Sequence, residues 1–438
     1  MPHLSLVALS GFRVREAELA AVGGSLPGLA SRARSIGALP PLGLLTLAAL
    51  TPDHWSRSLH EAPRVDPELI ERIVAERPTL VAISALTASI LEAYALADAL
   101  RREGVRVALG GLHVTGCPDE AAEHADAIVI GEGEPVWQQL LIDAEADRLV
   151  PSYRAAASFE MARSPVPSYE LLGRSERPRW TLQTSRGCPL ACDFCGASRL
   201  LGPYRRKPAE RIAAELEALR RIDPRLGIEL ADDNTFAGPG DHRELLDVLG
   251  RSGARWFTES DWRLGERPEL LARLADAGCI QVLVGLESLV HEHRGMGSKR
   301  VPMARMIDAV QAIQQAGVAV IGCLIVGSDG ETPESLDRLR RFLDSDPCAD
   351  VQLTLPTPFP GTALRRRWER EGRLLADRDW SYHTLFDVTF RPDRMSVEEL
   401  EREFRSLMVD AFGPGPTERR RRIRREVWRR AASIREGT

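Results

Sequence analysis

Through the first 140 residues, short apolar runs alternate with stretches whose apolar positions recur every three or four residues. His3–Leu9, Leu80–Ser84, Val105–Leu109 and Ala127–Ile130 are apolar runs of strand length. Asp66–Glu76 and Ile90–Glu103 carry helical spacing, the second ended by Gly104. Asp119–His124 reads as a shorter helix and Leu42–Leu50 as a buried one. Strands alternating with helices at this spacing predict a parallel sheet with crossovers on both faces. Residues 144–179 break the rhythm: they are polar, rich in Pro and Ser and weakly periodic, which predicts a linker.

Alternation resumes at Trp180. Apolar runs at Trp180–Ser185, Gly227–Ala231, Arg255–Glu259, Ile280–Leu286, Ala319–Ile325 and Asp350–Leu355 predict six parallel strands. The intervening helices are Pro208–Arg221, Arg243–Arg251, Pro268–Ala277, Pro302–Gln315 and Pro333–Leu343. The pattern therefore divides the chain into 1–143, a linker over 144–179, a second α/β unit over 180–365, and a C-terminal region over 366–438. Ligands of such sheets bind beyond the carboxyl ends of the strands. In the first unit those turns are Ser84–Ser89, Gly110–Gly116 and Gly131–Glu134, rich in Gly, Ser and Thr. In the second they are Asp232–Asn234, Thr258–Asp261, Gly285–Ser288, Gly327–Gly330 and Thr357–Pro358.

Composition narrows the field. The 438 residues suffice for two domains and a tail, and a net charge of −5 argues against a polyanion binder and hence against a nucleic-acid partner. The N-terminus lacks the basic start and long apolar run of a signal peptide. The broken patch Gly37–Leu50 is the nearest approach to a membrane span and falls short of the roughly 20 apolar residues one needs. Seven cysteines, three of them clustered, point to a reducing compartment, so a cytoplasmic protein is expected.

The chemistry concentrates in TSRGCPLACDFCGAS, where Cys188, Cys192 and Cys195 stand at C-x3-C-x2-C spacing. Three thiolates this close can hold three corners of a [4Fe-4S] cubane and leave the fourth iron open to a small molecule. The competing reading is buried or zinc-binding cysteines, but zinc would want a fourth ligand from a second Cys/His pair. Cys279, Cys323 and Cys348 stand alone and read as small core residues.

This segment resembles the cluster loop of the radical S-adenosylmethionine (SAM) superfamily. The resemblance implies that SAM chelates the open iron through its amino and carboxylate groups, and that 180–365 folds as a partial (β/α)6 barrel. It implies a SAM site made by Phe194 on adenine, by Asp232, Asp233 and Asn234 in place of a G-G-E loop, and by Glu259, Glu287 and Ser288 near the ribose and sulfonium. Gly322, Leu324 and Gly327 would form a G-x-I-x-G strand beside adenine, Leu324 being off pattern by one position. The bland reading of each acid is a solvated strand end or an ion pair. The first unit resembles the Rossmann-like cobalamin-binding domain found upstream of many such enzymes. That resemblance implies a cobalamin site of Ser84, Leu86, Thr87, Gly110, Gly111, His113, Gly131, Glu132 and Gly133. The D-x-H-x-x-G motif, whose His binds cobalt, is missing, so no histidine lower ligand is expected. A vestigial domain that binds nothing is the alternative. The C-terminal region resembles the small helical cap of this group. Tyr382 and His383 could face substrate or pack in the cap, and the basic stretch Glu418–Arg435 reads as a solvated helix whose arginine stems cover apolar surface, in preference to an anion, RNA or membrane-surface contact, since no RNA-binding module accompanies it.

Together the resemblances imply reductive cleavage of SAM to a 5′-deoxyadenosyl radical and methylation of an unactivated carbon through methylcobalamin. The substrate would be a small molecule, a natural product or lipid, and the electron donor a flavodoxin or ferredoxin. Rearrangement or cyclisation without net methyl transfer uses the same parts. A tRNA methylthiotransferase would need a further cysteine trio and an RNA-binding domain, and neither stands in the sequence. A non-catalytic cobalamin or SAM sensor would not require the cysteine trio.

Overall fold

The computed structural model describes residues 1–9, 13–173, 177–190, 192–290, 295 and 301–436. Its strands are β1 (His3–Leu9), β2 (Ser56–Ala62), β3 (Leu80–Ser84), β4 (Val107–Gly110), β5 (Ala127–Ile130), β6 (Ser152–Arg154), β7 (Trp180–Leu182), β8 (Ser185–Arg186), β9 (Arg205–Arg206), β10 (Gly227–Leu230), β11 (Arg255–Asp261), β12 (Cys279–Glu287), β13 (Ala319–Ile325) and β14 (Asp350–Thr354). The first sheet has the order β2-β1-β3-β4-β5-β6, with every pairing parallel. Apolar layers cover both of its faces. Val7, Ile83 and Leu109 pack with Leu69, Leu96 and Leu100, while Leu6, Ala82 and Val129 pack with Leu44, Trp137 and Leu140. Burial on both faces is why these strands are nearly unbroken apolar runs.

Two strands of this sheet depart from the expectation. β2 (SRSLHEA) is a half-exposed edge strand, and its polar sequence carries no apolar run. It is held through Glu76, which accepts from Ser5 at 2.6 Å and Ser58 at 2.7 Å. Burial alone would raise the Glu76 pKa, but those hydrogen bonds and His60 outweigh it and hold it at about 2. β6 falls inside the expected linker. Tyr153 is buried there and donates its hydroxyl to Asp143 Oδ2 at 2.9 Å, so 152–154 extends the sheet. Tyr169 and Leu172 of the same stretch are buried in the second core.

The helices Ala17–Ser25 and Pro27–Gly37 were not expected either. Leu19 of the first helix and Leu26 between the two belong to the core of the second unit, with Phe404 and Phe412 of the helix Val397–Phe412. The first forty residues therefore reach across to the other end of the chain.

The second sheet has the order β14-β13-β12-β11-β10-β7, again all parallel, the strand–helix arrangement of a partial barrel. Register separates its faces. Leu182, Leu230, Trp256, Val282, Val284, Val320, Leu324 and Val351 pack on the helices. The opposite face carries Thr181, Glu229, Phe257 and Gln281 in one row. Glu259, Leu283 and Ile321 follow two residues on, then Gly285, Cys323 and Gln352. Cys323 is thus half-buried on the open face, unlike the buried Cys279 and Cys348.

The helix Val397–Phe412 opens with a Ser396–Glu399 capping box. The basic helix Pro414–Glu436 packs under the N-terminal ends of the strands. Trp428 Nε1 donates to Ile280 O at 2.7 Å, and Arg424 and Arg419 pair with Asp350 and Asp346 at 3.1 and 2.6 Å. Its arginines serve the fold at the end of the sheet remote from the cysteine loop.

Candidate active site between the two sheets

The carboxyl ends of the two sheets face each other. Beyond β4, a Cβ on Gly116 would lie 2.6 Å from Pro360 Cβ, in the loop after β14. Beyond β5, the turn Gly131–Glu134 meets the start of the cysteine loop through ion pairs. Arg186 pairs with Glu132 at 2.6 Å and Glu134 at 2.7 Å, and Arg205 reaches Glu132 at 2.9 Å. All four side chains are largely buried, and Glu132 also accepts from Phe159 N at 2.7 Å. Arginine holds two carboxylates at once because its planar fork presents several donors. The carboxylate of Glu132, expected beside cobalamin, is therefore spent on Arg186 and Arg205. Burial raises the Glu132 pKa, yet those arginines and the Phe159 amide pull it below the ordinary value.

The cysteine loop leaves β8, which pairs antiparallel with β9 rather than extending β7 as expected. Gly187 has φ +80°, and a Cβ there would lie 2.7 Å from Gly202 O and 2.8 Å from Pro203 O, so only glycine fits. Cys192 is buried; Cys188 and Cys195 are half-buried, and none of the three is in a disulfide. Asp193 anchors the loop from below. It pairs with Arg367 at 2.6 Å, and its carbonyl accepts from Leu364 N at 3.0 Å. Phe194 packs against the main core. Three thiols outside disulfides on a glycine-hinged loop at the carboxyl end of a barrel fit a site-differentiated iron–sulfur cluster.

The expected SAM residues divide. Asp232 is a structural anchor: its carboxylate accepts from Thr184 N, Thr184 Oγ1, Ser185 N and Thr235 Oγ1, which leaves it no contact for an ammonium. Burial raises its pKa despite those bonds. Asp233 accepts from Gly187 N at 2.8 Å and so fixes the hinge of the loop; burial raises its pKa too. Asn234 donates to Asp261 Oδ2 at 3.0 Å inside the core. Gly322 and Leu324 lie on the helix-covered face. A Cβ on Gly322 would meet Cys348 Sγ at 2.8 Å, so this glycine admits a core neighbour, and Cys323 and Ile325 take the open face instead. Gly327, at φ +91°, packs against Leu400 and Phe390. Glu259 is exposed on the open face. Glu287 ends β12 at an irregular register with φ +63°, a strained conformation of the kind found at functional sites. Ser288 donates to Glu331 Oε1 at 3.0 Å, and Glu331 Oε2 takes Gly327 N at 2.6 Å. Burial pushes the Glu331 carboxyl up to about 7.

The expected cobalamin turns form a partly open cradle. Gly131, at φ +87°, has open space where a Cβ would stand, and Leu86, in the turn Ser84–Ser89 at the end of β3, is 68% exposed. An exposed leucine and bare backbone at strand ends fit a large, flat, partly apolar group. Gly111 has φ +109° with Ser84 Oγ 3.2 Å from its absent Cβ, and Gly110 faces Val129 at 3.6 Å. Thr87 is buried, and Gly133 packs on Leu47. His113 departs from the cradle. It is buried under Trp380, ring centroids 4.9 Å apart, so its place is at the contact between the first domain and the C-terminal region. His383 is buried in the same contact, where burial and Arg365 lower its pKa to about 4; Tyr382 lies under the Arg378 guanidinium.

The sequence does not single out Arg186, Glu134, Asp193, Arg367 or Glu331, and it offers Arg205 only as a possible ion-pair partner of the strand-end acids. Arg186 and Glu134 did carry a signal: each adjoins a motif residue, and a charge in a glycine-rich turn asks for a partner.

Comparison with known proteins agrees with this arrangement. Profiles of the B12 binding domain and of the Radical SAM superfamily match residues 30–141 and 182–343. The bacteriochlorophyllide d C-12(1)-methyltransferase of Chlorobaculum tepidum is 26% identical over 346 residues, 76% of this chain and 74% of that protein. The hopanoid C-2 methylase of Rhodopseudomonas palustris is 28% identical over 363 residues, 77% of this chain and 66% of that protein. The solved radical S-adenosylmethionine methyltransferase TsrM from Kitasatospora setae, with cobalamin and a [4Fe-4S] cluster bound, aligns at TM-score 0.71 and 15% identity, covering 99% of this chain and all of that one. Fold and cysteine loop together define a radical SAM protein. The chain carries both a radical SAM domain and a B12-binding domain, and relatives named as methyltransferases and methylases resemble it over about three quarters of its length. Among the described residues no helix is long and apolar enough to cross a membrane.

Proposed function

We propose that this chain is a cytoplasmic, cobalamin-dependent radical SAM C-methyltransferase acting on an unactivated carbon of a small molecule, a natural product or lipid. The observation that carries the proposal is the opposition of the two sheets' carboxyl ends, bridged by Arg186 between the cysteine loop and the Gly131–Glu134 turn. Cys188, Cys192 and Cys195 would hold the cluster, and the cradle around Leu86, Gly111 and Gly131 would hold cobalamin. When bound, the cluster with SAM supplies a carbon-centred radical and cobalamin supplies the methyl group. The chain's part is placement. Gly187 and Asp233 set the loop, Asp193 and Arg367 hold it from below, and Glu259, Leu283, Ile321 and Cys323 line the open face on which SAM and substrate would lie. Burial of the bridge keeps water from the joint between the sites. An electron donor such as flavodoxin or ferredoxin would reduce the cluster.

Anaerobically reconstituted protein should bind about four iron and one corrinoid per chain. During turnover, S-adenosylhomocysteine and 5′-deoxyadenosine should accumulate in about equal amounts. An altered substrate with 5′-deoxyadenosine and no S-adenosylhomocysteine would replace methyl transfer by rearrangement or cyclisation.

A further inference from the structure

His113, Cys117 and Glu120 stand on and between the short helices that follow β4, and their ligand atoms lie within 4.8 Å of one another. His113 is 1% exposed, and neither ring nitrogen has a hydrogen-bond partner. Its Nε2 lies 3.5 Å from Glu120 Oε1, which also lacks a hydrogen bond. Glu120 Oε2, in contrast, is held by Trp380 Nε1 at 2.9 Å. Buried polar atoms are nearly always satisfied, so an imidazole whose carboxylate neighbour is 3.5 Å away, with a thiol beside it and Tyr94 facing the same carboxylate, accommodates a bridging group.

We propose that His113, Cys117 and Glu120 bind a zinc ion, which ties the B12-binding domain to the C-terminal Trp380 segment. An imidazole, a thiolate and a carboxylate are the donors zinc accepts, and 3.5 Å between two of them suits neighbouring corners of a tetrahedron around a metal with bonds near 2.0–2.3 Å. One thiolate and one carboxylate neutralise the ion, so its burial carries no net charge. Trp380 supplies the outer contact that orients the carboxylate and leaves Oε1 for the metal. Glu120 is 38% exposed through its other atoms, while the oxygen it offers the metal is buried. Burial lowers the His113 pKa, so the ring is neutral and able to ligate at pH 7. Burial raises the Cys117 thiol to about 11, so binding must displace its proton and tightens as pH rises. Arg365 faces these groups together with His383 and opposes a cation, but it is paired with Glu369 at 2.8 Å. The site does not depend on the proposed methyl transfer.

The test is zinc content by inductively coupled plasma mass spectrometry. The full chain, with cluster and cobalamin, is stripped with EDTA, given one equivalent of zinc and desalted. About one zinc per chain is expected. Cys117→Ser should lower it at least fivefold while iron and corrinoid stay unchanged, and His113→Gln should lower zinc by a similar factor. A variant with Cys188, Cys192 and Cys195 all replaced by Ala should keep its zinc, which separates this site from metal misplaced on the cluster cysteines. X-ray absorption at the zinc edge should show one sulfur near 2.3 Å among nitrogen and oxygen neighbours. Less than about a fifth of a zinc per wild-type chain overturns the proposal. So does zinc that survives Cys117→Ser, or that shows two or more sulfur neighbours.

Discussion

Glu331 is 4% exposed, one turn of loop beyond β13, and joins Gly327 to Ser288 by its two carboxylate oxygens. Burial raises its pKa from 4.5 to about 7, and the sign of the consequence follows. Below about pH 4.5 the folded and unfolded carboxyls are both protonated and its contribution is complete. Between 4.5 and 7 the unfolded chain ionises first, so stability is lost as pH rises through 7. The shift corresponds to about 3 kcal/mol. Glu331→Gln should abolish this component: the variant's stability relative to wild type should improve by about that amount between pH 4.5 and pH 8 in urea titrations. An unchanged difference across that range would show that Glu331 is ionised throughout. Glu287 makes a second case. Its φ of +63° costs about 1 kcal/mol in an L residue. Glu287→Gly should stay folded, with cluster content unchanged, yet bind SAM at least tenfold more weakly by equilibrium dialysis. Unchanged SAM affinity would make the strain a feature of the strand end alone.

At the scale of elements, the two cofactor turns depend on one arginine. Arg186 leads directly into Gly187 and the cysteine loop, and pairs with both acids of the Gly131–Glu134 turn. Arg186→Gln leaves Glu134 without its cation in a largely buried place, which should cost about 3 kcal/mol and loosen the joint. Corrinoid retained after desalting should fall several-fold while iron stays near four per chain. Full corrinoid retention in that variant would mean that the turns are placed independently. The same elements show what the sequence could and could not reveal. The strands buried on both faces, such as Leu80–Ile83 and Ala127–Ile130, were legible because burial demands an unbroken apolar run. β2 was not, since an edge strand tolerates SRSLHEA, and β6 was not, since three residues carry no periodicity. The cysteine spacing was legible because all three thiols stand on one short stretch of chain. Which acids face the cavity was not: Asp232 and Glu259 look alike in sequence, and only register shows one closed into the fold and the other open.

For the whole molecule, the account rests on one arrangement. The B12-binding and radical SAM domains present their ligand-binding ends to each other, and the N-terminal helices and basic C-terminal helix lock the chain around the barrel. Removing any one cysteine of the trio should abolish 5′-deoxyadenosine formation while corrinoid binding survives, because the first sheet has its own apolar layers. The most direct measurement needs no substrate. Protein reconstituted anaerobically with iron, sulfide and hydroxocobalamin is reduced in the presence of SAM deuterated at its methyl group, and the corrinoid is then extracted and weighed by mass spectrometry. The account predicts a trideuterated methyl group on the corrinoid in wild type, and its loss when the Leu86–Gly131 cradle is filled by Gly131→Val. A corrinoid that stays bound and reduced but gains no labelled methyl would contradict methyl transfer.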